Sequence, residues 1–403
     1  MTERPERPSR VLFAVLTLLV AFGPLSTDLY LPSLPGLVSS FESDVATVQL
    51  TLSVYLLAFA VAQLLYGPLS DRFGRRPVAL AGIALFTGAS LLCVFATSIE
   101  ALIAARALQA IGACAGPVLG RAIVRDLFER EQAATMLAGM AMAMSLAPAI
   151  GPVIGGFLEA HLGWRSNFLL LAAIGLVAFV SMLVTTPESN RFRDPKALAP
   201  SQLIGRYRAL LGNRLYVGYV MVCGCGYGGL FCFISGSAPT FMTGFGVSAQ
   251  AFGFLFCFIV IGFAVGAFLS TRLTRRLGVD RMIELGTFSA SIGGLGMTCV
   301  AWLDPTGAST FGPFGLATPM LLVSGAAGLI MPNAMAGAAA PFPRMAGAAS
   351  ALLGFGQMGF AALVGVAVAA GFDGTGRSMA TGVLILAVAG AVIFRLMIKP
   401  QNR

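Results

Sequence analysis

Histidine occurs once in this chain, at His161, and lysine twice, at Lys196 and Lys399, and only 11% of the 403 residues are charged. A single imidazole assembles neither a His-based metal site nor a histidine proton relay. The seven cysteines (Cys93, Cys114, Cys223, Cys225, Cys232, Cys257 and Cys299) fall in apolar runs without paired spacing or a nearby histidine, so they read as small packing residues. No metal and no cofactor is expected. Paired acids and Cys–His sets are also missing at membrane depth, which disfavours a membrane-embedded enzyme. Long polar stretches are scarce too. Outside one central segment every loop is short, leaving no room for a soluble catalytic domain.

What is present is apolar. Hydrophobic residues make up 57% of the chain and the mean hydropathy is +0.86, which places it in a bilayer. A spanning helix needs about 20 apolar residues. Twelve such runs are visible, near 11–31, 47–67, 77–97, 100–123, 135–159, 164–185, 215–237, 249–271, 280–302, 313–334, 346–370 and 376–398. The first follows Arg4, Arg7 and Arg10, but it is too long for a secretory signal and eleven more follow.

The net charge of +9 does not point to nucleic acid, because the basic residues follow membrane topology. With a cytoplasmic amino terminus, 23 of the 26 lysines and arginines fall in inner segments, among them Arg191, Arg344 and Arg403. Only Arg165 and Arg377 lie outside, and Arg106 lies within a span. Both termini are therefore expected in the cytoplasm. The polar stretch ESNRFRDPKALAPSQLIGRYR divides the chain into a six-span bundle over 1–186, a cytoplasmic linker over 187–214 and a second bundle over 215–403.

The core of a charged loop repeats across that division. LSDRFGRR (69–76) returns as LSTRLTRR (269–276), each after the second span of its half, with Thr271 and Thr274 replacing Asp71 and Gly74. GPLSDRFGRRP resembles motif A of the major facilitator superfamily through Gly67, Asp71, Arg72, Gly74, Arg75 and Arg76. LSTDLYLPSLP (25–35) resembles the drug:proton antiporters of its bicyclomycin-resistance (Bcr/CflA) branch more narrowly. APAIGPVIGG (147–156) resembles the antiporter motif C, with Gly151, Pro152, Gly155 and Gly156, and AARALQAIGACAG (104–116) resembles motif B around Arg106. The resemblance implies an all-α membrane fold of two pseudo-symmetric six-helix bundles, working by alternating access as a monomer in a bacterial inner membrane. It implies export of small lipophilic drugs in exchange for protons. An uptake facilitator of the same fold is the nearest rival, disfavoured by motif C and the first-span acid.

Asp28 is the acid in the first span, where an ionised carboxylate is costly unless it faces water or a partner. It either carries the proton or ends its helix near Pro32 and Pro35. Arg106 either senses the charge of Asp28 or of a substrate, with Gln109 a turn away and Tyr30 nearby, or snorkels outward. Asp71 is expected beside the start of the eleventh span near Met345, since a helix start carries about half a positive charge, and Asp126 is an available partner for Arg75. The arginines of this loop alternatively only report topology. The motif C residues suit either a hinge or a packing seam. Asn333, Gln357, Phe231 and Phe233 are candidates to line a pocket, as are Tyr227 and Phe241. Glu284 is expected in a salt bridge at a span boundary. Small-xxx-small pairs such as Gly112/Gly116 and Gly262/Gly266 are expected at helix contacts.

Overall fold

The computed structural model describes residues 10–190, 192–304 and 312–400, and among these every regular element is helical. The first set comprises α1 (Arg10–Asp28), α2 (Leu34–Ser40), α3 (Val45–Phe73), α4 (Arg75–Val94), α5 (Ile99–Leu127), α6 (Arg130–Leu162) and α7 (Arg165–Thr185). A short α8 (Pro200–Leu211) follows. The second set comprises α9 (Arg214–Ala238), α10 (Ala249–Leu277), α11 (Val279–Leu303), α12 (Gly312–Ala339), α13 (Ala346–Ala370) and α14 (Arg377–Ile393). Twelve segments are long and apolar enough to cross a membrane. Of the arginines that bear on topology, Arg4, Arg7, Arg191 and Arg403 lie outside the described residues, as do the side chains of Arg10, Arg130 and Arg344.

The apolar runs locate these helices, and local chemistry sets their ends. Asp44 caps α3 by accepting from the Thr47 amide at 2.9 Å and the Thr47 hydroxyl at 2.6 Å, and these bonds hold its carboxyl below the ordinary aspartate range. Ser98, Asn213 and Ser248 cap α5, α9 and α10 in the same way. The first crossing segment is longer than its apolar run suggests, extending from Val11 to Ser40. Pro32 and Pro35 sit in the first turns of a 3-10 turn (Leu31–Ser33) and of α2, where a missing N–H leaves no bond unmade. The chain therefore bends after Asp28 and stays helical.

Within the first set α1 packs on α5, α6 and α7, and α4 packs on α5 and α7; within the second, α9 packs on α12, α13 and α14, and α11 on α12 and α14. The most extensive contacts between the sets are α3 with α13 and α6 with α10. In crossing order these are the second with the eleventh and the fifth with the eighth, the reciprocal pairing that a two-fold relation requires. Small residues make the closest approaches: Gly116 lies on the Leu19 carbonyl and Gly266 on that of Gly325. The end of the bundle that carries the α3–α4 turn and α8 is called the linker end below.

Candidate functional site

Arg106 is fully buried on α5, with its guanidinium enclosed by aromatic rings. Its Cζ lies 4.2 Å from the centroid of Tyr55, 4.9 Å from Tyr30 and 5.7 Å from Phe168. Nη1 donates to the Ser26 carbonyl at 3.0 Å and to Gln109 Oε1 at 2.5 Å, and Gln109 passes the chain on to Ser90 at 2.7 Å. The Tyr30 hydroxyl shares a 2.7 Å bond with Thr51. A desolvated cation–π contact contributes up to about 2 kcal/mol, so three ring faces offset much of the dehydration of one guanidinium. Arg106 does not snorkel; its Nε and Nη2 are buried without a hydrogen-bond partner.

Asp28 ends α1 but lies inside the crossing segment, 4% exposed. Its carboxylate accepts from the Thr27 hydroxyl at 3.1 Å. Among the described residues it forms no ion pair, and Arg106 points instead to the backbone of Ser26. The Leu31–Ser33 turn just beyond Asp28 contacts α9 and α10 of the second set, which puts the acid close to where the two sets face each other. Gly151 packs against the Asp28 Cβ, and Gly155 against the Leu29 carbonyl.

The other face of the same α6 segment meets the second set. Gly156 touches the Ala249 carbonyl, Gly253 touches that of Pro152, and Phe157 meets Phe254 edge-on at 6.2 Å. The helix runs on through Pro148 and Pro152 without interruption. Of the two readings of this glycine-proline cluster, the packing seam is the arrangement present. A second crossing contact lies nearby, where Gln49 donates to the Ser235 carbonyl and the Ser235 hydroxyl returns a 3.2 Å bond to Gln49.

At the linker end Arg75 is the centre of a cluster. It binds Asp71 at 2.6 Å, Asp126 at 3.0 Å and the Ser70 hydroxyl at 2.5 Å. Gly74, at φ +104°, makes the one-residue break between α3 and α4, a conformation that a Cβ disfavours. The bare start of α4 is capped from elsewhere in the chain. Glu188 accepts from the Arg75 amide at 2.9 Å and from the Arg76 amide at 3.3 Å, and Asn190 donates to the Ser70 and Asp71 carbonyls at 3.1 Å. Arg76 also reaches the Leu183 carbonyl at 2.6 Å, while Arg72 is exposed over the Phe73 ring. Gly67 has no neighbour where a Cβ would stand. The Asp71 carboxylate is thus held by Arg75 in its own turn, and its backbone by residues 190 and 194; among the described residues it makes no bond to the start of α13 near Met345.

The pocket candidates fall into different places. Asn333 is buried at the linker end of α12, where its amide donates to Ser270 at 2.8 Å and accepts from Thr274 at 3.0 Å. It ties the second loop to its own set and lines no space between the sets. Gln357 accepts from the Cys223 thiol at 3.7 Å. Phe231 lies against Gly365, at the place where Ser53 of α3 also reaches that glycine, whereas Phe233 packs at a tilt against Phe241 and Phe256 within the second set. Glu284 is paired with Arg281 and Lys399, as its boundary position suggests. Tyr55, Phe168, Ser90 and Thr51 belong to the Arg106 cage without a signal in the sequence, since each reads as an ordinary core residue of its own helix. Glu188 carries a weak signal: it is an acid placed just after a crossing segment and before a basic linker.

The family profile described as Major Facilitator Superfamily matches residues 16–366. Multidrug resistance protein D of Escherichia coli (strain K12) is 30% identical over 343 residues, covering 85% of this chain and 84% of that protein. The Bicyclomycin resistance protein homolog of Haemophilus influenzae is 26% identical over 364 residues, 90% of each. Among solved structures, the xylose transporter XylE from E. coli superposes with a TM-score of 0.74 at 15% identity, covering 96% of each chain.

Proposed function

From the membership of this chain in the Major Facilitator Superfamily, alongside drug-resistance proteins of the Bcr/CflA branch, we propose that it exports small lipophilic drugs in exchange for protons. The linker end faces the cytoplasm in this reading, in keeping with the concentration of arginine there. The membrane is a bacterial inner membrane, and the drug binds between the two helix sets.

One observation carries the coupling. Asp28 is a buried carboxylate with no cation beside it, held by one hydroxyl and packed on Gly151 in the helix that also forms the seam to α10. An unpaired charge at that depth costs several kcal/mol, so the neutral acid is favoured while the mouth opposite the linker is closed. Parting the seam at Gly156 and Ala249 wets the Asp28 side of α6. Protonation and the closed seam therefore favour each other, and a drug bound on the other side gains a state in which to exchange. Arg106 is sequestered by its ring cage and holds the α1 backbone at Ser26, two residues before the acid. Its part is to fix where Asp28 stands.

The test is drug-driven proton movement in everted vesicles loaded with acid. Wild type loses its proton gradient when a transported antibiotic is added, and Asp28→Asn, at equal protein level, does not. Equal proton movement in both sinks the role of Asp28. Drug uptake without proton movement in wild type makes the protein a facilitator.

A further inference from the structure

A second carboxylate sits in the α6 seam helix, on the side that the proposed reading places toward the outer medium. Glu159 lies eight residues beyond Gly151, about 12 Å further along the helix axis at about 1.5 Å per residue. It is half-buried, and it faces inward, since a Cβ on Gly36 would meet its carboxylate. Ser33 donates to Glu159 Oε2 at 2.5 Å, and Asn167 Nδ2 donates to Ser33 Oγ at 2.9 Å. Ser33 and Asn167 are both fully buried, and Asn167 Oδ1 has no hydrogen-bond partner.

These three groups form a chain that can run in either direction. In the arrangement present, both donors point toward the acid, the pattern that suits a carboxylate anion. If one proton from outer water joins a Glu159 oxygen, the new O–H donates to Ser33 Oγ. The Ser33 hydroxyl then turns to Asn167, whose amide rotates to offer the orphaned Oδ1. The chain keeps two bonds: the buried oxygen gains a donor, and Nδ2 gives up Ser33. A purely structural tie between α6, α7 and the Leu31–Ser33 turn needs no such spare acceptor, and buried orphan oxygens are uncommon.

We propose that Glu159 is the proton-loading acid at the outer mouth, taking up the proton that later reaches Asp28 through water in the opened seam. This rests on the export reading above. Few other charges bear on the site. Arg106, buried on the neighbouring α5, is enclosed by the Tyr30 ring and its partners. His161 on the same helix stacks on Phe157, and Arg165 at the start of α7 is bound to the Val94 and Ala96 carbonyls. The adjoining α2 and the first turn of α10 carry no charged residue. Among the described residues Glu159 forms no ion pair, and the groups seen against its carboxylate, Ser33 and Gly36, are neutral.

The experiment combines two readouts on proteoliposomes of wild type, Asp28→Asn, Glu159→Gln and Ser33→Ala. Infrared difference spectra across a step in external pH detect the carbonyl band of a protonated carboxyl. That band is expected in wild type and in Asp28→Asn, where Asp28 cannot contribute to it, and is lost when Glu159→Gln is added to Asp28→Asn. Ser33→Ala keeps the acid, removes the hydroxyl and shifts the midpoint of the band by about one pH unit. Drug-driven proton movement in Glu159→Gln should lose its dependence on external pH while drug binding persists. A band that survives Glu159→Gln in the Asp28→Asn background, an unmoved midpoint in Ser33→Ala, or a flux profile of Glu159→Gln that superposes on wild type overturns the proposal. If wild type moves no protons with any drug, export coupling fails, and the infrared band alone decides whether Glu159 loads a proton.

Discussion

The loops at 69–76 and 269–276 share leucine, serine and three arginines, and they fold into different devices. In the first, Gly74 breaks the helix at φ +104°, and Arg75 turns back onto Asp71, Asp126 and Ser70. In the second, Thr274 stands where Gly74 would, and α10 continues a full turn further to Gly278, at φ +82°. Ser270 and Thr274 bind Asn333 of α12, and Arg275 and Arg276 remain exposed. One glycine-to-threonine difference moves the turn by four residues and carries the arginines out of reach of any counterpart of Asp126. Duplicated sequence thus holds the first loop by charge and the second by neutral hydrogen bonds.

The largest contrast is expected on removing the matching arginines. Arg75→Ala strands two carboxylates at a partly buried junction, and breaking such a pair costs about 3 kcal/mol, at the lower end of the buried range. Arg275→Ala removes an exposed charge and is expected to change stability by less than about 0.5 kcal/mol. Unfolding in mixed detergent micelles measures both. Equal losses would mean that the arginines act only through overall topology, as the positive-inside pattern alone allows.

This contrast marks how far the sequence carries. The twelve crossings are legible because a bilayer demands long apolar runs and the chain supplies them. The Arg75–Asp126 pair is legible because each residue lies just past its span on the same side. Other features depend on partners brought together only by packing. Arg106 reads as an intramembrane cation awaiting an acid, yet its neighbours are three rings and a backbone carbonyl contributed by α1, α3, α7 and the turn after α1. Asn333 reads as a polar group in a pocket because hydropathy cannot tell a cavity from a helix contact; its partners are Ser270 and Thr274. The turn at Gly278 was hidden by the alignment of the two loops, which puts the break at Thr274.

A smaller effect separates the two turn glycines. Both hold positive φ with ψ at 154° and 162°, a region essentially reserved for glycine, where a residue with a Cβ costs about 1–3 kcal/mol. At Gly278 nothing stands where the Cβ would go, so Gly278→Ala should cost about 1 kcal/mol. At Gly74 the methyl would also meet the Glu188 carboxylate and the Arg193 guanidinium, so Gly74→Ala should cost about 2 kcal/mol and slow transport through the Arg75 cluster. Thermal shift and drug-driven flux on the two variants decide it, and an equal loss at both sites would remove Glu188 from the account.

The finest distinction concerns that glutamate. Glu188 caps α4 across more than a hundred residues of sequence, accepting from the Arg75 and Arg76 amides. The start of α11 follows Gly278 directly, and no side-chain cap bond is present there. An N-terminal cap contributes about 1 kcal/mol. Glu188→Ala should therefore speed hydrogen exchange of the Arg75 and Arg76 amides about fivefold and leave the start of α11 unchanged. Glu188→Gln separates the two ways a carboxylate acts on a helix start. Its amide oxygen still accepts from one N–H, while the charge that faces the helix dipole is gone. If hydrogen bonding dominates, Glu188→Gln keeps most of the protection; if the charge dominates, it exchanges like Glu188→Ala. The second result would make the whole first loop electrostatic, down to its backbone, and the contrast with the neutral second loop complete.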